Sequence, residues 1–309
     1  MKYIVSPQVS YSGNIATANR IASYFSDAKV IDVDHMKYNY ISSKDLIIGL
    51  HAYKVGKELI DKNYKFIIII TGTDLNCDFY EKEKKEIIIK VLNQAKQIIV
   101  FNQYQRNFLL ENNINSIIIP QSVNNILPTN NFNLRNYLDL DINSKVFLLV
   151  GNLRKVKDPL FLLNEFKKLY DDLGYIFVYI GNNLDSYDLN YYWIRHINGL
   201  DKVSTFSAIE QADGLINTSL SEGMSSTILE AMKLQCPVYA RVNNSNEYLI
   251  KHGYNGFLFI NGINFYKIIK ESCNDYIKKN AYNDVNKKYN QDIEKNKYMT
   301  IIKNLYEIN

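Results

Sequence analysis

The run Asn217-Thr218-Ser219-Leu220-Ser221-Glu222-Gly223-Met224-Ser225-Ser226-Thr227-Ile228-Leu229-Glu230-Ala231-Met232 sets two carboxylates eight residues apart, where an apolar strand gives way to an amphipathic helix. The strand is expected over Gly214 to Asn217 and the helix from about Ser226 to Leu234. Small and polar residues at such a junction leave backbone N–H groups directed outward at a helix N-terminus, which suits an anion or a ring of hydroxyls. Glu222 precedes the helix and Glu230 lies in its first turns, so one ligand can reach both, as a sugar joined to a phosphate does. Two plainer readings stand beside this one. Thr227-x-x-Glu230 has capping-box spacing, in which Glu230 serves only an orphan N–H, and Glu222 is then a solvated loop acid.

The chain has 309 residues, long for one domain and comfortable for two. With 47% hydrophobic and 22% charged residues, its composition is that of an ordinary globular protein. The net charge of +4 is small for this length and gives no concentrated basic face for nucleic acid. The three cysteines, Cys77, Cys236 and Cys273, are odd in number and far apart, which argues against a disulfide framework and a Cys metal cluster. His35, His51, His196 and His252 lack ligand spacing, so no metal is expected. The opening Met-Lys-Tyr-Ile-Val-Ser-Pro reads as a core strand and not a signal peptide. The longest apolar runs, such as Phe66 to Ile70, are too short to span a bilayer, so a cytoplasmic location is expected.

Short β-branched runs alternate with helical stretches along the chain. Strands are expected over Tyr3–Val5, Leu46–Gly49, Phe66–Thr71, Ile98–Phe101 and Ser116–Ile119. A second series follows over Val146–Val150, Ile176–Ile180, Ile194–Ile197, Gly214–Asn217, Pro237–Ala240 and Phe257–Ile260. Continuous apolar runs of this kind suit parallel strands buried on both faces. Helical stretches such as Ile15–Phe25, Ile87–Ala95 and Pro159–Tyr170 supply the crossovers. The Asn-rich stretch from Ser122 to Ser144 breaks the pattern, giving a first domain over 1–125, a linker over 126–144, a second domain over 145–290 and a terminal helix over 291–309. That helix either crosses back to the first domain or caps the second.

Open α/β sheets bind ligands beyond the C-terminal ends of their strands, and the remaining motifs lie at such ends. Ser12-Gly13-Asn14 follows the first strand, and its small residues allow a phosphate or an acceptor near the backbone, or form an ordinary βα turn. His51 follows a buried strand, as a hydroxyl donor or a satisfied structural residue. Asp74 in Thr71-Gly72-Thr73-Asp74 caps a helix or positions an acceptor hydroxyl. Gly151, Arg154 and Lys157 follow the first strand of the second domain, the two cations either solvated at the surface or paired as a phosphate clamp.

Ser219-x-x-Glu222-Gly223, then Leu229-Glu230-Ala231-Met232, Cys236-Pro237-Val238 and Asn255-Gly256-Phe257-Leu258, resemble the donor half of the group-1 retaining enzymes of glycosyltransferase family 4. With Thr71-Gly72-Thr73-Asp74, Leu153-Arg154-x-Val156-Lys157-Asp158-Pro159-Leu160 and Pro237-Val238-x-Ala240-Arg241, nearly the whole chain is similar to the glycosyltransferase 1 domain-containing protein family. The resemblance implies the GT-B fold, two doubly wound Rossmann-like domains facing a cleft. It implies transfer of a sugar, usually a hexose, from a nucleoside-diphosphate sugar to an unidentified acceptor, with retention and without a metal or other cofactor. By resemblance Glu222 contacts the transferred sugar, Glu230 binds the ribose, and Gly223, Met224, Ser225 and Ser226 hold sugar hydroxyls and phosphate. Gly151, Arg154 and Lys157 face the diphosphate. Ser12, Gly13, Asn14, His51 and Asp74 then face the acceptor. The sequence departs from the family at Asn152, where an Arg usually follows the Gly, and Arg154 is the expected replacement. Other chemistries on the same fold are an epimerase, a selenosugar or thiosugar synthase, and a non-catalytic nucleotide-sugar-binding protein.

Overall fold

The computed structural model describes residues 1–7, 13–38, 41–123, 128, 131–271 and 274–307. Ser12 and Cys273 lie outside the described residues, as does part of the expected linker. The chain forms two compact units. One comprises Met1–Gln121, Glu222–Met224 and Gln291–Asn309, and the other Ser122–Ser221 and Ser225–Asn290.

The first unit is built on six parallel strands: β1 (Lys2–Ser6), β2 (Ala28–Asp32), β3 (Leu46–Leu50), β4 (Lys65–Ile69), β5 (Gln97–Val100) and β6 (Ile117–Ile118). Their order is β2-β1-β3-β4-β5-β6. Every residue of β3 is buried, as expected for an apolar run with helices on both faces. β2 is the one strand of this sheet that the apolar-run pattern does not predict. It is an edge strand with an exposed Lys29 and only Ile31 fully buried, so no continuous apolar run marks it.

The second unit carries β7 (Val146–Val150), β8 (Ile176–Ile180), β9 (Ile194–Ile197), β10 (Gly214–Asn217), β11 (Val238–Arg241) and β12 (Phe257–Phe259), all parallel. Their order is β12-β11-β10-β7-β8-β9, so the chain winds outward from β7 in one direction and then from β10 in the other. The crevice where the direction reverses, at the C-terminal ends of β7 and β10, is where such sheets bind ligands. Aromatic rings fill the core on one face: Phe166, from the helix Leu163–Leu173, stacks on Phe177 of β8 with centroids 4.0 Å apart. That helix begins later than the expected Pro159. The segment ahead of it is a turn anchored by the Tyr179 hydroxyl, which donates to Pro159 O at 2.5 Å.

The helix Gln291–Glu307 belongs to the first unit through a buried polar cluster. Arg20, on the helix Gly13–Ala22, donates from Nε to Glu294 Oε2 at 2.9 Å and from Nη2 to Gln121 Oε1 at 2.9 Å. The Tyr24 hydroxyl donates to Glu294 Oε2 at 2.8 Å and Thr17 Oγ1 to Gln121 Oε1 at 2.8 Å. Arg20 and Glu294 are 7% and 2% exposed, so each charge depends on its partner for the solvation it has lost. Glu294→Ala strands the guanidinium. Urea unfolding is expected to show a loss of about 3–5 kcal/mol, with Glu294→Gln losing less because it keeps part of the hydrogen bonding.

Candidate functional site

At the reversal point of the second sheet, β7 is followed by Gly151 in the left-handed region at φ 135°. Beside it, Gly181 follows β8 at φ 145°, and a Cβ there would lie 2.4 Å from Gly151 O. Only glycine lets the two strand ends run so close. The loops beyond them continue the pairing: Leu153 donates to Asn182 O at 2.8 Å and Leu184 to Leu153 O at 3.1 Å. Asn152 takes part in this seam, its Oδ1 accepting from Asn182 N at 3.2 Å. Arg154 is exposed, and its guanidinium makes no hydrogen bond or ion pair with the described residues. Lys155 beside it is exposed as well, so the loop turns two cations toward solvent.

Lys157 closes the short turn Lys155–Lys157, and its backbone is laced to the loop after β10. Thr218 Oγ1 donates to Lys157 O at 2.7 Å and Leu220 N to Val156 O at 2.9 Å. Gly151, Lys157, Asn217, Thr218 and Ser219 line a small recess between the strand ends. After this loop the helix Ser226–Lys233 begins with Ser225 as N-cap, its Oγ accepting from Ile228 N at 3.4 Å. With Ser225 at the cap, Glu230 is the fifth helical residue and not the third, so it is not the acid of a capping box. Glu230 Oε1 lies 4.0 Å from Lys202 Nζ. The first turn's N–H groups, from Ser226 on, lack intrahelical acceptors by geometry and carry the positive end of the helix dipole.

In the first unit, Gly13 opens the helix Gly13–Ala22 with Asn14 half-buried behind it. Asp74 is fully buried and accepts from Gly72 N at 2.7 Å, Ala52 N at 3.1 Å and Thr71 N at 3.1 Å. Its carboxylate organises the turn after β4. His51 is also fully buried, at φ 87°. Its Nδ1 accepts from Lys54 N at 3.2 Å, which leaves the proton on Nε2, 2.9 Å from Thr73 Oγ1. Thr73 is exposed, so the outward-facing group here is its hydroxyl, with the imidazole behind it. The Glu222–Met224 segment, which also belongs to this unit, has three successive carbonyls bound by side-chain amides. Glu222 O accepts from Asn76 Nδ2 at 3.3 Å, Gly223 O from Asn102 Nδ2 at 2.8 Å and Met224 O from Gln121 Nε2 at 2.8 Å. A Cβ on Gly223 would lie 2.0 Å from Thr71 O, which accounts for the glycine.

Gly151, Lys157 and the loop after β10 thus gather in the second unit, and His51, Asp74 and Glu222–Met224 in the first. Sequence reasoning missed Thr218, Asn76, Asn102 and Gln121, whose signal is only their place in the segments that follow strands. Among the described residues, no three His, Cys, Asp or Glu side chains converge as a metal site. No helix among them is long and apolar enough to cross a membrane.

Burial lowers the His51 pKa from its ordinary value, and Lys54 adds to this; Asp74 and Asp78 oppose it. The unfolded chain therefore binds this proton more readily, from about pH 6.5 downward, and stability falls as the pH drops through that value. His51→Asn should flatten the decline in unfolding free energy between about pH 7 and pH 5, measured by urea titration at each pH.

A family profile described as "Glycosyl transferases group 1" matches residues 144–274. The chain is 29% identical to "Glycosyltransferase 1 domain-containing protein 1" of Xenopus tropicalis, over 96% of this chain and 95% of that protein. Among solved structures, HepE from Anabaena in complex with UDP and glucose superposes with a TM-score of 0.80 at 15% identity, covering 98% of this chain and 100% of that one. A sucrose-phosphate synthase from Thermosynechococcus elongatus superposes with a TM-score of 0.78 at 13% identity, covering 100% of both chains. These structures share the GT-B fold seen here as two six-stranded parallel sheets with helices.

Proposed function

Taking as premise that residues 144–274 are a group 1 glycosyl transferase domain and that the chain is an enzyme transferring sugars, we propose that it moves a hexose from a nucleoside-diphosphate sugar to an acceptor hydroxyl with retention of configuration. The observation that carries this reading is the recess at the reversal point of the second sheet, with Lys157 on its wall, exposed Arg154 beside it and a serine-capped helix following the loop on its far side. UDP in the HepE complex makes a uridine donor the first to test.

In this proposal the bond between the sugar C1 and the diphosphate oxygen breaks while the acceptor oxygen bonds C1 on the same face. The departing phosphate takes the acceptor proton. Negative charge grows on the leaving diphosphate, and Arg154, Lys157 and the amides from Ser225 and Ser226 stabilise it there without a metal. Glu222 holds the sugar hydroxyls with the Gly223 and Met224 backbone, Glu230 the ribose, and Gly151 leaves room for the phosphates. The loop at Ser12, Gly13 and Asn14 receives the acceptor. Asp74 and His51 shape the turn that presents Thr73. Membership of family 4 and action in the cytoplasm complete the proposal; Cys77 and Cys236, neither in a disulfide among the described residues, suit a reducing compartment.

Incubation with UDP-glucose and a panel of acceptors is expected to release UDP in an acceptor-dependent way, and absence of turnover with any nucleotide sugar would sink the proposal. Turnover should survive EDTA; loss that Mg²⁺ or Mn²⁺ restores would show that a metal neutralises the diphosphate. Glu222→Gln should lose about a hundredfold in kcat with an unchanged melting temperature. Lys157→Ala should weaken UDP binding by about 2 kcal/mol, read by calorimetry.

A further inference from the structure

β11 ends on Arg241, a residue that no step above uses. Its Nη1 lies 2.7 Å from Asp158 Oδ2, and its Cζ lies 3.7 Å from the centroid of the Phe161 ring. Asp158 directly follows Lys157 and caps the Lys155–Lys157 turn in the left-handed conformation at φ 44°. Buried Asn246 donates from Nδ2 to Arg241 O at 2.9 Å and to Asn217 Oδ1 at 3.2 Å. The end of β11 is thereby fastened to the recess that Lys157 and Asn217 line.

A carboxylate next to Lys157 is a liability in an anion site. Left unpaired, it opposes an approaching diphosphate and drains the field of the neighbouring cations. The Arg241 guanidinium removes that charge, and the Phe161 ring beneath restricts where the guanidinium can go. The side chains of Arg241 and Asp158 are 21% and 34% exposed, and ion pairs this open contribute little to folding stability. The effect of the pair therefore falls on the ligand more than on the fold.

We propose that Arg241 is a positioning residue of the donor site, which neutralises Asp158 and so keeps Lys157 and Arg154 effective against a nucleoside diphosphate. This rests on the donor-site reading above. The test is calorimetric titration of the full chain with UDP, together with melting temperatures. Arg241→Gln is expected to weaken UDP binding about tenfold with little change in melting temperature. Adding Asp158→Asn to Arg241→Gln is expected to restore binding to within about threefold of the unmodified chain, because the charge that needed masking is gone. Arg241→Gln binding UDP as well as the unmodified chain, or a double variant as weak as Arg241→Gln alone, overturns the proposal and leaves the donor site standing. Should Arg241→Gln fail to fold, Arg241→Lys decides: binding kept within about threefold supports charge neutralisation, and a tenfold loss with the lysine present overturns it. Failure of the unmodified chain to bind UDP, ADP or GDP overturns this proposal together with the donor-site reading.

Discussion

The hydrogen bond from Thr218 Oγ1 to Lys157 O, with the backbone bond from Leu220 N to Val156 O, holds together the loops that leave β7 and β10. These loops depart where the winding of the sheet reverses, so nothing in the sheet ladder itself joins them beyond the strand ends. Left to the ladder alone they splay, and Lys157 loses its fixed relation to Asn217 and Ser219. The close pass of Gly181 against Gly151 O sets the other wall of the same crevice. The recess is thus built from a backbone bond, a threonine hydroxyl and two glycines before any charged side chain is placed in it.

Charged residues in the two units do different work, and burial decides which. In the first unit Asp74 is spent on backbone N–H groups, and His51 is enclosed with both ring nitrogens engaged. Buried polar groups must be satisfied in this way, because each unmade hydrogen bond costs about 1–3 kcal/mol. In the second unit Arg154 is exposed and Asp158 is neutralised by Arg241, so the loop after β7 has an excess of positive charge toward solvent.

Much of this was legible in the residues. β7, β8 and β10 appear where unbroken apolar runs stood, because a parallel strand covered on both faces tolerates few polar positions. The helix Ser226–Lys233 follows its Ser-rich entry and the terminal helix its apolar spacing. β2 was not legible, because an edge strand with Lys29 and Asp32 has no such run. Nor was the place of the cap: Ser225 and Thr227 both precede acceptable helical residues, and only the backbone at Ser225 selects between them. His51 looked equally suited to touching a substrate or to supporting a turn, since a strand end offers both.

The sequence by itself determined the alternation of strand and helix and the placing of Arg154 and Lys157 in the loop that follows an apolar strand, both of which depend on spacings within about one turn or one strand. The tertiary structure decided which polar residues meet. Arg241 reaches Asp158 across 83 residues of chain and Arg20 reaches Glu294 across 274. No local pattern encodes such pairs, because they form only when distant strand ends and helices are packed against the same core.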